Sequence, residues 1–194
     1  MVCLNNPVSC ASLLKKQDGS ALLEFAIALP LLVVFIVGIF DFSGAFNSKL
    51  KIQHAAQLGA IVAATQPTND LDPTNSTPGP DSLQPVVSVV FNSLKADGLL
   101  PLASSSGSCS APQPSVSNAG LQWTYAISGC PDTLNIVINR SATAGSGPVA
   151  VASTVQVQYP YHWRFNSAIQ LLFPGASYAA VTPLTETATV HNQT

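Results

Sequence analysis

Lys15-Lys16-Gln17-Asp18-Gly19-Ser20-Ala21-Leu22-Leu23-Glu24-Phe25-Ala26-Ile27-Ala28-Leu29-Pro30-Leu31-Leu32 opens the stretch that decides the fold, and Val33-Val34-Phe35-Ile36-Val37-Gly38-Ile39-Phe40 completes it. From 21 to 40 only Glu24, Pro30 and Gly38 interrupt the hydrophobic residues. As a helix this run reaches about 30 Å, the thickness of a bilayer core. Two rivals are open. A buried helix of a water-soluble protein is usually shorter. A secretory signal peptide has an apolar core of only about 7–15 residues before a small-x-small cleavage site. Ser43-Gly44-Ala45 has the form of such a site, giving a chain that starts at Phe46, but Asp41 intervenes and the run is long. A membrane-spanning helix over 20–40 is the leading expectation.

Composition agrees. Of the 194 residues, 47% are hydrophobic and only 8% charged, against roughly 25% charged in ordinary soluble domains. Such a chain meets lipid or other subunits. The net charge of −2 provides no basic surface, so nucleic acid is not an expected partner. Lys15 and Lys16 flank the run on its N-terminal side, which predicts that end to be cytoplasmic. Cys109 and Cys130 then lie in an oxidising exterior or periplasm, where a disulfide persists. A bond closing about 20 residues adds roughly 3 kcal/mol; two free thiols are the alternative.

Glu24 is the residue a membrane helix has least reason to carry, because an intramembrane carboxylate is costly. It stands five positions after Gly19 and is followed by Phe25. That spacing, behind a leader with Lys15-Lys16, resembles the processing site of type IV prepilins. In that family a membrane peptidase cuts after the glycine. The resemblance implies a scissile bond between Gly19 and Ser20, leaving Ser20 first and Glu24 fifth. It also implies that the glutamate meets a free amino terminus and sets subunit register. A carboxylate beside an ammonium in low dielectric is strongly favoured over either charge alone.

Glu24-Phe25-Ala26-Ile27-Ala28-Leu29-Pro30-Leu31-Leu32 resembles the EFALVLPLL opening of the TadE-like family, and Gln53-His54-Ala55-Ala56-Gln57-Leu58-Gly59-Ala60 resembles its nAAReGAR continuation. Gln57 departs from the arginine common there, as does Ile61 from a second arginine, and Ser20 from the phenylalanine of many pilins. What the resemblance implies is a non-enzymatic minor pseudopilin of a tight-adherence (Flp-type) pilus system. Its partners would be the inner membrane, the prepilin peptidase, other pseudopilins and Flp pilus assembly components. The implied organisation is a cytoplasmic leader over 1–19, a span over 20–40, a periplasmic helical continuation over 41–65 and a periplasmic α+β domain over 66–194. An uncleaved single-span protein with a periplasmic binding domain is the alternative. A secreted β-rich domain released by signal peptidase is a third.

Beyond the run a helical pattern continues, so one helix is expected over 21–65, with Pro67 ending it. Ala55, Gly59 and Ala63 recur every four residues, as do Ala56, Ala60 and Ala64. Small residues so spaced let another backbone approach closely. That face serves subunit packing, packing on the protein's own domain, or both. Pro30 removes a helix hydrogen bond within the span.

A loop rich in Pro, Asn and Thr over 66–85 leads to a short helix over 85–96 with Val86, Val89, Val90 and Leu94 on one side and Gly98 as its stop. A second loop is expected over 103–118. Alternation predicts strands at 121–128, 133–139, 150–159 and 177–191, turns at Asp132 and 145–148, and a short helix over 165–173. The fold class is α+β, a long N-terminal transmembrane helix extended into a pilin-like domain with a small antiparallel sheet. Val155-Gln156-Val157-Gln158-Tyr159, followed by Tyr161, His162 and Trp163, is the most aromatic patch, either a strand end packed on a helix or a binding surface.

Chemistry is sparsely encoded. His54, His162 and His191 are far apart and the cysteines lack Cys-x-x-Cys spacing, which argues against zinc. No nucleophile elbow, phosphate loop or dinucleotide fingerprint is present. No cofactor and no catalysis are expected. Asn139-Arg140-Ser141 matches a glycosylation sequon, read as accidental.

Overall fold

The computed structural model describes residues 8–71, 79–100, 109, 115–117, 121–144, 150–164, 175 and 181–193. Within them lie two helices, α1 (Val8–Thr65) and α2 (Gln84–Ala96), and five strands, β1 (Ser115–Ser117), β2 (Gln122–Cys130), β3 (Asp132–Ala144), β4 (Ala150–His162) and β5 (Val181–His191). The expected α+β plan is present: a long apolar helix followed by a small antiparallel sheet. The helix expected over 165–173 and the turn at 145–148 fall outside the described residues.

The chain divides into two compact units, one of residues 1–43 with 163–180, the other of residues 44–162 with 181–194. α1 is continuous over 58 residues with Pro30 inside it, and it starts at Val8 rather than 21. Ala11, Leu13, Leu14, Lys15 and Lys16 are good helix formers, and one glycine such as Gly19 costs only about 1 kcal/mol.

In the second unit, the sheet runs β1-β2-β3-β4-β5 with every neighbouring pair antiparallel. Alternation sets its two faces. Trp123, Tyr125 and Ile127 on β2, Leu134, Ile136 and Ile138 on β3, and Val155, Val157 and Tyr159 on β4 point to one side, with Trp123 opposite Ile138 and Ile138 opposite Val155. They share a core with Ile52, Ala55, Ala56, Ala60 and Ala63 of α1 and with Val86, Val87, Val90 and Leu94 of α2.

Sequence and structure differ at several boundaries. β1 was expected as loop; three residues between polar and proline-rich segments carry no period, and pairing with β2 alone defines them. β2 and β3 run almost into each other across Pro131, with a register shift at 127–130 and Gly129 at φ 81°. On α2, Val86, Val90 and Leu94 are buried as expected, Val87 is buried as well, and Val89 is half-buried.

α2 ends where Gly98 was expected to stop it. The Gly98 N–H donates to the Lys95 carbonyl at 3.1 Å and the Leu99 N–H to the Leu94 carbonyl at 3.0 Å, with Gly98 at φ 70°. This is a Schellman end, whose left-handed position favours glycine. Cys109 and Cys130 are joined by a disulfide, Cα atoms 4.9 Å apart. The Tyr159 hydroxyl donates to the Cys130 carbonyl at 2.6 Å.

Candidate anchoring and assembly site

The N-terminal half of α1 carries the residues singled out by the sequence. Lys15, Lys16 and Gly19 lie on its helical backbone. One turn separates Ser20 from Glu24, and the Ser20 hydroxyl reaches Glu24 Oε1 at 3.5 Å, a long contact on an exposed surface. First and fifth positions after the glycine thus share one helix face, as residues four apart must. A charge at Ser20 would lie within one turn of the carboxylate.

From Phe25 onward the helix is apolar around its circumference. Phe25, Ile27, Leu31, Phe35 and Ile39 are all more than 60% exposed, a distribution no water-facing helix sustains. Within Ser20–Thr65 the most apolar stretch is wholly unburied, and the helix is long and apolar enough to cross a membrane. Pro30 is half-buried in this stretch.

The small-residue positions of the C-terminal half are used differently. Ala55, Ala56, Gly59, Ala60 and Ala63 are all buried, inside the protein's own core. Gly59 is the closest approach: a β-carbon there would stand 2.5 Å from Val90 Cγ2 and 3.2 Å from Val155 Cγ1. The face is therefore covered by α2 and the sheet. Its outward-facing side holds Gln53, Gln57 and Ile61.

The end of α1 is held by Arg140, the central residue of the Asn139-Arg140-Ser141 sequon. Arg140 is 3% exposed and donates Nη1–H to the Ala63 carbonyl and Nη2–H to the Gln66 carbonyl, the latter at 2.9 Å. A cation at a helix C-terminus is favoured by the dipole and by the unpaired carbonyls. Burial pushes the guanidinium below its ordinary range, and the Asp70 carboxylate pulls it back up. Asp70 Oδ2 accepts from the Ser82 N–H at 2.8 Å, tying in the 3-10 turn before α2. The sequence held one clue: Arg140 continues the inward alternation of Leu134, Ile136 and Ile138. Asn139 accepts from both the N–H and hydroxyl of Ser141, beside a register shift in β3.

Aromatic residues at the end of β4 and directly after it lie against α1 within each unit. In the second, Tyr161 sits where a side chain on Gly44 would collide, its hydroxyl 2.6 Å from that β-carbon position. In the first, the ring of Trp163 meets Phe42 edge-on at 5.3 Å. Asp132 opens β3 and pairs with exposed His162 at 2.8 Å. Among the described residues, no group of three or more His, Cys, Asp or Glu gathers in a metal-binding arrangement.

Fold and site together define a class: a small α+β chain with one long N-terminal helix able to cross a membrane. Residues 19–60 match the family model described as TadE-like protein, a stretch that carries Gly19, Glu24 and the buried Ala55, Ala56 and Ala60. No curated protein and no solved structure matches the chain significantly.

Proposed function

We propose that this protein is a TadE-like minor pseudopilin of a tight-adherence (Flp-type) pilus system, non-enzymatic and membrane-anchored. The match over residues 19–60 carries the reading, because it spans the glycine, the glutamate and the apolar run as one unit. In this account residues 1–19 are a cytoplasmic leader oriented by Lys15 and Lys16. A prepilin peptidase cuts Gly19–Ser20, with Glu24 and Phe25 as recognition and register residues. Residues 20–40 cross the inner membrane, and the helix continues with the α+β domain in the periplasm. Work is mechanical: the span partners other pilus components, and the outer domain contributes to assembly. The covered alanine face directs those contacts to the apolar half of α1.

The experiment is replacement of Glu24 by Gln and by Ala in a pilus-forming cell. Loss of pilus assembly at normal protein level is expected from both, since neither supplies a charge for the ammonium of Ser20. Cleavage followed alongside separates the two roles, unchanged for register alone and impaired for recognition. Normal assembly from both would overturn the register role.

One observation favours a second reading, an uncleaved single-span protein. α1 passes through Gly19 and Ser20 without a break, so a peptidase must unwind a helix to reach the bond. That reading predicts a retained leader and indifference to Glu24 replacement.

A further inference from the structure

The apolar run ends at Phe40, and the next turn is the level at which a spanning helix leaves hydrocarbon. Asp41, the first charge after the run, is 5% exposed, whereas Phe40 and Phe42 on either side of it are 73% and 54% exposed. A helix entering water does the reverse, burying rings and exposing carboxylates. At this level the chain also returns. Trp163 follows directly on the end of β4 and lies edge-on against Phe42, ring centroids 5.3 Å apart. Arg164, next to it, is exposed. Both residues belong to the same compact unit as Phe42.

We propose that Phe42, Trp163 and Arg164 form a second membrane anchor, which binds phospholipid at the edge of the bilayer that α1 crosses. Indole is an interface group, whose large apolar ring favours the boundary between acyl chains and headgroups. Guanidinium on a flexible stem reaches phosphate and holds it with paired hydrogen bonds. Exposed phenyl rings beside them extend the apolar surface without a break from the run. Continuity with the span chooses the occupant: a surface that begins in hydrocarbon and ends in Trp and Arg fits lipid. The inference rests on reading residues 21–40 as a membrane span. Its consequence is a fixed depth for α1, because the chain is pinned at two points far apart in sequence.

Only two tryptophans are present, and the other, Trp123, is fully buried, which supplies an internal control. The full chain is reconstituted in vesicles of phosphatidylcholine and phosphatidylglycerol with brominated acyl chains, and tryptophan emission is read for wild type and W163F. Phenylalanine keeps a ring against Phe42. The expected result is a loss of wild-type emission that disappears in W163F, with a smaller loss in R164E. Equal quenching of wild type and W163F, in vesicles that retain the chain on alkaline extraction, would overturn the anchor while leaving the span intact. Release of the chain by alkaline extraction would overturn span and anchor together. Should W163F fail to fold, W123F leaves Trp163 as the lone fluorophore: quenching supports the anchor, and unquenched emission overturns it.

Discussion

Arg140, in the middle of β3, donates its guanidinium to the main-chain carbonyl of Ala63 in the last turn of α1. A second N–H reaches Gln66 beyond the helix end, and the Gln193 N–H donates to the Ala64 carbonyl at 3.1 Å. The main-chain carbonyls of Ala63, Ala64 and Gln66 at the end of α1 are thereby paired, two by Arg140 of β3 and one by the chain just after β5. The long helix and the sheet are joined by a buried charge as well as by apolar packing.

Replacing Arg140 by Met keeps the volume and removes the donors. Hydrogen bonds to a charged group are worth roughly 1.5–3 kcal/mol each, so a loss of roughly 3 kcal/mol is expected after apolar compensation. Urea unfolding of the full chain in detergent measures it. R140K, able to reach one carbonyl, falls between; a variant as stable as wild type would refute the clasp.

Gly59 and Gly38 make a matched pair on one helix. A methyl at Gly59 meets Val90 and Val155, whereas a methyl at Gly38 meets nothing within 4 Å. Val side chains are stiff and the core is close-packed, so G59A costs about 1–3 kcal/mol. G38A is expected to be at least as stable as wild type, by up to about 1 kcal/mol, because alanine is the better helix former and nothing opposes its methyl. Thermal unfolding of the two variants side by side gives the contrast.

Alkaline pH tests the core independently. Burial pushes the Tyr125 phenol up to about 12 from 10.0, and Tyr159 is raised by burial and by the Asp132 carboxylate. Both groups are neutral when folded. The contribution of Tyr125 to stability is therefore complete below the unfolded value and is lost as pH rises from about 10 through about 12, and that of Tyr159 is lost in the same direction. Tyrosinate absorbance is expected to rise in two stages, the later one coinciding with unfolding. Y125F removes part of that later stage.

What the sequence disclosed depended on whether a signal was local. The apolar run of α1, the Gly98 stop and the alternation of β2 to β4 are each written within a few turns or residues, and each was legible. Counting from Gly19 singles out Glu24 by an equally local signal, and its role belongs to the proposed function. Arg140 was not, since its partner Ala63 lies 77 residues away and a strand capping a helix leaves no local pattern. The alanine face shows the intermediate case: the spacing of Ala55, Gly59 and Ala63 announces close packing, but only the fold reveals α2 and the sheet as its occupants. β1 and the reach of β3 past 139 depend on pairing, so their ends were hidden.

Sequencing the amino terminus of the protein purified from cells with an active prepilin peptidase tests the central claim most directly. The account predicts a chain beginning Ser20-Ala21-Leu22-Leu23-Glu24, and an intact mass lacking residues 1–19. A chain still beginning at Met1 in those cells, or one beginning at Phe46, would contradict it.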